Sequence, residues 1–163
     1  RNIDKIINSF KQIKNEFNDF SFVLVGRNYT QPSIDIEGMM REMVEEKRAL
    51  YIPWIEDEDL VSLYQAASYY ICTSTVDGEA LMLKEAMQSG TPVITSPLLK
   101  EAIGGNGLII DDPESILNTS KILRIAMGKE LVRKRLIKDG IKWTQNITWE
   151  RVADNILTFL ESR

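Results

Sequence analysis

Short apolar runs alternate along the chain with stretches in which every third or fourth residue is apolar. The first such stretch predicts an amphipathic helix, because apolar side chains recur at helical spacing at Ile3, Ile6, Ile7, Phe10 and Ile13. The run 20–25 that follows is continuously apolar, ends at Gly26 and predicts a buried strand. The polar segment 29–33, which contains a proline, predicts a loop.

The same alternation continues to the end of the sequence. Four further strands are predicted, at 49–53, 69–73, 92–95 and 107–110. Six further helices are predicted, at 34–47, 56–67, 80–89, 114–127, 130–143 and 148–160. Strands that alternate with helices are typical of a mostly parallel sheet with helices on both faces, which is a Rossmann-like α/β fold.

Length and composition narrow the classes of function. The 163 residues fit a single domain, 1–163. The net charge of −4 argues against a nucleic-acid partner. The single cysteine, Cys72, lies in a predicted strand and fits a buried residue in a reducing compartment. The absence of histidine removes the usual general base and the commonest metal ligand. No apolar run approaches the roughly 20 residues of a membrane span.

The stretch from Asp77 to Ile94, DGEALMLKEAMQSGTPVI, holds the candidate chemistry. Two carboxylates with seven residues between them, Asp77 and Glu85, flank a predicted helix start. This start follows a strand of a parallel sheet, and ligands bind beyond the carboxyl ends of such strands. The N–H groups of Ala80 and Leu81 are therefore candidate donors to a diphosphate, and Gly78 allows backbone to approach it closely.

The order of these residues resembles the pattern EGFGLPxLEAMAxGxPVI of retaining GT-B glycosyltransferases of family 4, the glycosyl transferases group 1. Asp77 stands for the first glutamate of that pattern and Glu85 is the second. Glu79-Ala80 replaces Phe-Gly, Met82 replaces the proline and Lys84 replaces an apolar residue. The matching positions are Gly78, Leu81, Ala86, Met87, Gly90, Pro92, Val93 and Ile94. Elsewhere, 22–26 resembles LVLVG, 60–67 resembles LxxLYxxAD and 107–113 resembles GLLVDPxD.

The resemblance implies that the chain is the C-terminal, donor-binding half of a GT-B fold. The first strand of this domain would lie upstream of Arg1, and the N-terminal acceptor domain, outside the chain, would be its partner. The intact enzyme would transfer a hexose from a UDP- or GDP-sugar to a glycan or lipid-linked acceptor in the synthesis of surface polysaccharide or glycolipid. The resemblance implies no cofactor, no metal and a cytoplasmic location, with contact to the membrane surface only through the absent domain. Residues 1–163 alone would bind donor weakly and transfer nothing.

The resemblance also assigns roles to residues at the donor site. Glu85 would accept hydrogen bonds from the ribose hydroxyls, and Asp77 would contact the donor sugar, so these two form the candidate catalytic pair. The remaining candidates for nucleotide-sugar contact are Gly26, Arg27, Trp54, Ser74, Gly78, Ala80 and Leu81. Glu85 can also be read as a solvated helix residue, Asp77 as a turn residue before Gly78, and Trp54 as a packing residue.

Two other functions are compatible with such a sheet. The departures at Glu79, Ala80 and Lys84, and Pro97-Leu98 in place of a Gly-Gly pair, fit a degenerate, non-catalytic scaffold or partner-binding domain. A flavodoxin-like receiver or flavin-binding domain shares the fold class, although Asp77 is poorly placed for the acidic set of a receiver.

Overall fold

A computed structural model of the protein describes residues 2–27, 34–74 and 80–162. Within these ranges the chain forms seven α-helices and five short strands. The helices are α1 Ile3–Ile13, α2 Ile36–Glu45, α3 Asp57–Ala66, α4 Leu81–Gln88, α5 Ile116–Gly128, α6 Glu130–Thr144 and α7 Trp149–Glu161. The strands are β1 Phe22–Val25, β2 Ala49–Ile52, β3 Tyr70–Cys72, β4 Val93–Thr95 and β5 Gly107–Ile109.

All strand pairs among the described residues are parallel, and they form two sheets. β1 pairs with β2, with Phe22 opposite Ala49. β4 is the central strand of the second sheet, between β3 and β5. The parallel α/β architecture predicted from the sequence is therefore confirmed. The alternation of elements does not reveal the division into two sheets, because pairing depends on contacts between distant segments.

Helix α1 packs against the cores associated with both sheets. Ile7 and Phe10 belong to a buried cluster with Met40 of α2 and Ala49 of β2. Ile13, one turn further along α1, belongs to a second cluster with residues of β4 and α5. Among the helices, α1 packs most extensively against α5. One amphipathic helix therefore joins the two parts of the fold.

The segment between β4 and β5 is partly helical. It contains two short 3₁₀ segments, Pro97–Leu99 and Glu101–Ile103. The side chains of Leu99 and Ile103 are buried in the cluster that also contains the inner face of α4. Proline at the start of the first segment supplies a backbone angle compatible with a helical turn. No helix among the described residues is both long and apolar enough to cross a membrane.

Candidate functional site

The carboxyl ends of β1 and β2 bring three predicted site residues together. Gly26 directly follows β1 and donates its N–H to the carbonyl of Ile52, 2.9 Å away, at the end of β2. Its φ of +117° lies in a region that residues with a Cβ rarely adopt. The chain leaves the strand through this glycine, and Arg27 then lies over the ring of Trp54 from the next loop.

Trp54 is exposed on the surface. The guanidinium carbon of Arg27 is 5.8 Å from its ring centroid, which is within range of a cation–π interaction. The indole Nε1 donates a hydrogen bond to Oε1 of Glu56, at 3.0 Å. The ring is 65% exposed, so Trp54 is not part of the core of the described fold. This arrangement leaves a planar aromatic surface available at the carboxyl edge of the sheet.

The carboxyl ends of β3 and β4 are instead buried and polar. The hydroxyl of Ser96 donates to the carbonyl of Ser74 at 2.8 Å, and both residues are about 1% exposed. The hydroxyl of Thr95 donates to the carbonyl of Cys72 at 2.7 Å. These bonds join the ends of two neighbouring strands, so the predicted site residue Ser74 is fixed against the residue that follows β4.

The predicted site residues Asp77 and Gly78 lie outside the described residues. Ala80, the next described residue, precedes α4 with a left-handed φ of 51° and offers no side-chain cap. Its carbonyl accepts from the N–H groups of Leu83 and Lys84, at 3.0 and 3.3 Å. The amides of the first turn, including that of Leu81, precede the intrahelical ladder and carry the positive end of the helix dipole.

The two faces of α4 have different environments. Leu83, Ala86 and Met87 are buried in the core. Leu81 and Glu85, four residues apart and hence neighbours on one face, are exposed. Glu85 lines an open groove of about 560 Å³ between α3 and α4. The groove is lined by Asp57, Leu60, Val61, Tyr64, Gln65, Glu85, Gln88 and Ser89.

Tyr64 is a groove residue that the sequence reasoning did not include in the site. Its side chain is only 5% exposed, and its ring meets that of Tyr70 edge to face, 5.4 Å between centroids. Burial raises the pKa of Tyr64 to about 12, and the negative charge of Glu85 acts in the same direction. The signal was present in the sequence, since Tyr64 is the tyrosine of the segment resembling LxxLYxxAD.

Apart from Ser74, the predicted site residues that the structure describes form two groups. Gly26, Arg27 and Trp54 lie at the ends of β1 and β2, and Ala80, Leu81 and Glu85 lie on the first turns of α4. The start of α3 lies between these groups in the chain. Glu56, its N-cap residue, contacts Trp54, and the adjacent Asp57 lines the groove with Glu85.

The sequence and the fold are similar to those of known proteins. The chain is 30% identical over 102 residues to the O-antigen chain mannosyltransferase B of Escherichia coli, which covers 61% of this chain and 26% of that protein. The fold matches sucrose-phosphate synthase from Thermosynechococcus elongatus with a TM-score of 0.81 and 23% identity, over 99% of this chain and 42% of that one. It also matches the pneumococcal O-GlcNAc transferase GtfA, solved with UDP and GlcNAc, with a TM-score of 0.71 and 17% identity, over 98% of this chain and 32% of that one.

The chain therefore spans less than half the length of each of these proteins. The family model described as Glycosyl transferases group 1 matches residues 1–126. These residues include the carboxyl ends of β1 and β2 and the whole of α4. The chain belongs to the glycosyl transferases group 1 family.

Proposed function

We propose that the protein is a retaining glycosyltransferase and that residues 1–163 are its nucleotide-sugar-binding domain. The donor is a UDP- or GDP-hexose, and the acceptor is a glycan or lipid-linked glycan of surface polysaccharide or glycolipid synthesis. The acceptor is held by an N-terminal domain outside these residues, through which the protein also touches the membrane surface from the cytoplasm. The observation that carries the proposal is the position of Glu85 in an open groove, one turn after the uncapped start of α4.

The start of α4, Glu85 and Trp54 suit the diphosphate, the ribose and the base of a nucleoside diphosphate, respectively. Helix N–H groups at Ala80 and Leu81 can donate to the diphosphate, whose negative charge is favoured at this end of the dipole. Glu85 accepts hydrogen bonds only, and its two oxygens match the two donors of a ribose diol. Trp54 offers an exposed aromatic face for the base, beside the carboxyl ends of β1 and β2.

The chemistry required of this domain is stabilisation of the leaving group. During retaining transfer the bond between the sugar and the diphosphate breaks, and negative charge grows on the diphosphate. Donors already aimed at that position lower the barrier because they need no reorganisation as charge develops. Asp77 would orient the hydroxyls of the donor sugar. Activation of the acceptor would come from the other domain, so residues 1–163 alone would not catalyse transfer.

The division of the strands supports the proposed domain boundary. Among the described residues, β1 pairs only with β2, and β3 pairs only with β4. Helix α1 packs against the cores associated with both pairs. We propose that a further parallel strand from the polypeptide upstream of Arg1 completes the sheet between them.

The experiment that tests the nucleotide site is calorimetric titration of the full-length protein with UDP, GDP and ADP, repeated on Glu85→Ala. One nucleotide should bind, and Glu85→Ala should weaken it by about tenfold or more, since a hydrogen bond to a charged group is worth roughly 1.5–3 kcal/mol. Glu161→Ala, an exposed glutamate of α7, is the matched control and should bind normally. Unchanged affinity in Glu85→Ala would contradict the assigned role.

A second candidate is a non-catalytic scaffold, and the conformation of Ala80 favours it. Ala80 stands where the family pattern has glycine, and its left-handed φ is one that glycine adopts at lower cost. Its methyl group also limits how closely a phosphate can approach the start of α4. A folded full-length protein that binds none of the three nucleotides would support the scaffold and exclude the donor site.

A further inference from the structure

The ring of Trp54 lies on the surface but is held by contacts on two sides. Its Nε1 donates to Oε1 of Glu56 at 3.0 Å. The guanidinium carbon of Arg27 lies 5.8 Å from the ring centroid. Trp54 also follows Pro53, whose own ring fixes the backbone angle φ one residue earlier. Because the indole is mostly exposed, its orientation depends on these local contacts and not on packing in the core.

Glu56 is the N-cap residue of α3, yet its side chain does not cap the helix. An N-cap side chain ordinarily accepts a hydrogen bond from a backbone N–H two or three residues later. The carboxylate of Glu56 instead turns back along the chain and accepts from Trp54. Three acidic residues in the first turn, Asp57, Glu58 and Asp59, supply the negative charge that this end of the helix favours. The side chain of Glu56 therefore acts on the tryptophan and not on α3.

The hydrogen bond orders the indole without covering it. The Nε1–H group is the single donor of the indole and lies at the edge of the ring system. A bond at this edge restricts rotation of the side chain and leaves the faces of the ring for stacking. An exposed side chain without such a bond samples several rotamers, and it loses that freedom when a planar ligand stacks on it.

We propose that Glu56 is a positioning residue, which holds the indole of Trp54 in the orientation that stacks on the base of the nucleotide. The proposal rests on the proposed function, since it requires Trp54 to contact the base. Glu56 does not touch the nucleotide and acts only through Trp54. Its contribution is to order the ring before binding, so that less freedom is lost when the nucleotide arrives.

The negative charge of Glu56 gives the positioning role a distinctive sign. A carboxylate near the site repels the diphosphate, so loss of its charge alone would strengthen binding. Loss of its hydrogen bond to Trp54 would weaken binding. The two effects of removing Glu56 are therefore opposite, and the measured direction shows which one dominates.

The test compares Glu56→Gln with Glu56→Ala in the full-length protein. Glu56→Gln removes the charge but keeps a side-chain oxygen that can accept from Nε1, whereas Glu56→Ala removes the acceptor. Glu58→Ala is the matched control, because it removes an exposed glutamate from the first turn of the same helix. Calorimetry measures affinity for whichever of UDP, GDP and ADP binds the wild type, and for ribose 5-diphosphate, which lacks the base. Circular dichroism establishes that each variant is folded.

The positioning role predicts a loss that depends on the base. Glu56→Ala should bind the nucleotide about three- to tenfold more weakly, while its affinity for ribose 5-diphosphate should change by less than about twofold. Glu56→Gln and Glu58→Ala should both stay within about twofold of the wild type. In a Trp54→Ala background, Glu56→Ala should have no further effect, because the residue through which it acts is gone.

The order of the ring is also measured directly, without a ligand. The heteronuclear NOE of the Trp54 indole N–H reports motion on the picosecond to nanosecond timescale. It should fall in Glu56→Ala and keep its wild-type value in Glu56→Gln. An unchanged value in Glu56→Ala would show that the hydrogen bond does not order the ring, and it would overturn the inference.

Other outcomes separate this inference from the proposed function. Tighter nucleotide binding by Glu56→Ala, or equal weakening of both ligands, would overturn the positioning role. If Trp54→Ala weakens nucleotide binding and Glu56→Ala does not, only the role of Glu56 fails. If Trp54→Ala binds normally while Glu85→Ala does not, the base contact of Trp54 fails and the role of Glu56 fails with it, but the nucleotide site at α4 stands.

Discussion

Helices α4 and α7 are both amphipathic, yet they stand in opposite relations to the rest of the fold. Leu83 and Met87 of α4 are 1% exposed, and they pack with β4 and the 3₁₀ segments. Leu157 and Leu160 of α7 are 56% and 62% exposed. Every side chain from 150 to 161 is exposed, including the apolar ones. Apolar periodicity therefore identifies the face of a helix that favours burial, but it does not identify the partner.

The comparison has an energetic consequence. Burying a leucine side chain stabilises a fold by about 1.5–3 kcal/mol relative to leaving it exposed. Helix α4 contributes this stabilisation within residues 1–163, and α7 does not. The helix that carries Glu85 is thus anchored by its opposite face, which lets its polar face remain open to solvent while its position stays fixed.

The largest expected difference is between two leucine truncations. Leu83→Ala should lower the free energy of unfolding of the 163-residue chain by about 3 kcal/mol, because it leaves a cavity in the core. Leu157→Ala should lower it by less than about 0.5 kcal/mol, as is usual for exposed positions. Urea denaturation measures both. Comparable losses would show that α7 packs against this domain and would remove the distinction between the helices.

A smaller loss of unfolding free energy is expected at high pH, where Tyr64, packed between α3 and α4, ionises. Tyr64 titrates near 10 in an unfolded chain and at about 12 in the folded one, so the folded state retains the proton longer. Its contribution to stability is complete below pH 10 and is lost as pH rises towards 12, at roughly 1 kcal/mol per pH unit. The difference in unfolding free energy between the wild type and Tyr64→Phe, measured across this range, should show the loss. A difference independent of pH would contradict it.

The smallest effect is expected from two helix caps of similar geometry. The hydroxyl of Ser115 accepts from the N–H of Asn118, and that of Thr148 accepts from the N–H of Arg151, each at 3.2 Å. Ser115→Ala should lower global stability by about 1 kcal/mol, because α5 packs against α1. Thr148→Ala should leave the urea midpoint unchanged and should only increase hydrogen exchange in α7. A shift of the midpoint by Thr148→Ala would show that α7 unfolds with the core.

Much of the fold can be predicted from the sequence because the helices and strands are determined by patterns of neighbouring residues. The spacing of apolar residues predicts each described helix to within two residues at either end, as for α3 and α4. The parallel arrangement follows from the alternation of helices and strands. The separation of β1 from β3 and the exposure of α7 do not follow, since both depend on which distant segments pack together.

The candidate site is predicted less completely. Arg27 and Trp54 lie after β1 and β2, and Glu85 lies on α4, in the elements that the sequence predicts for them. Their roles in binding stay predictions. Tyr64 is missed because its place in the groove comes from the packing of α3 against α4. The segment resembling LxxLYxxAD was the signal that could have found it. The left-handed backbone at Ala80 is also missed, although the glycine of the family pattern at this position indicates it.

Cys72 is a natural attachment site for a spectroscopic label near the groove. It is the single cysteine of the sequence and is half-buried at the end of β3. Its side chain packs against the buried cluster that contains Tyr64, a residue of the groove. A fluorophore or isotope attached to sulfur would therefore occupy one position in residues 1–163. Its signal would come from the cluster that contains Tyr64, without any engineered residue.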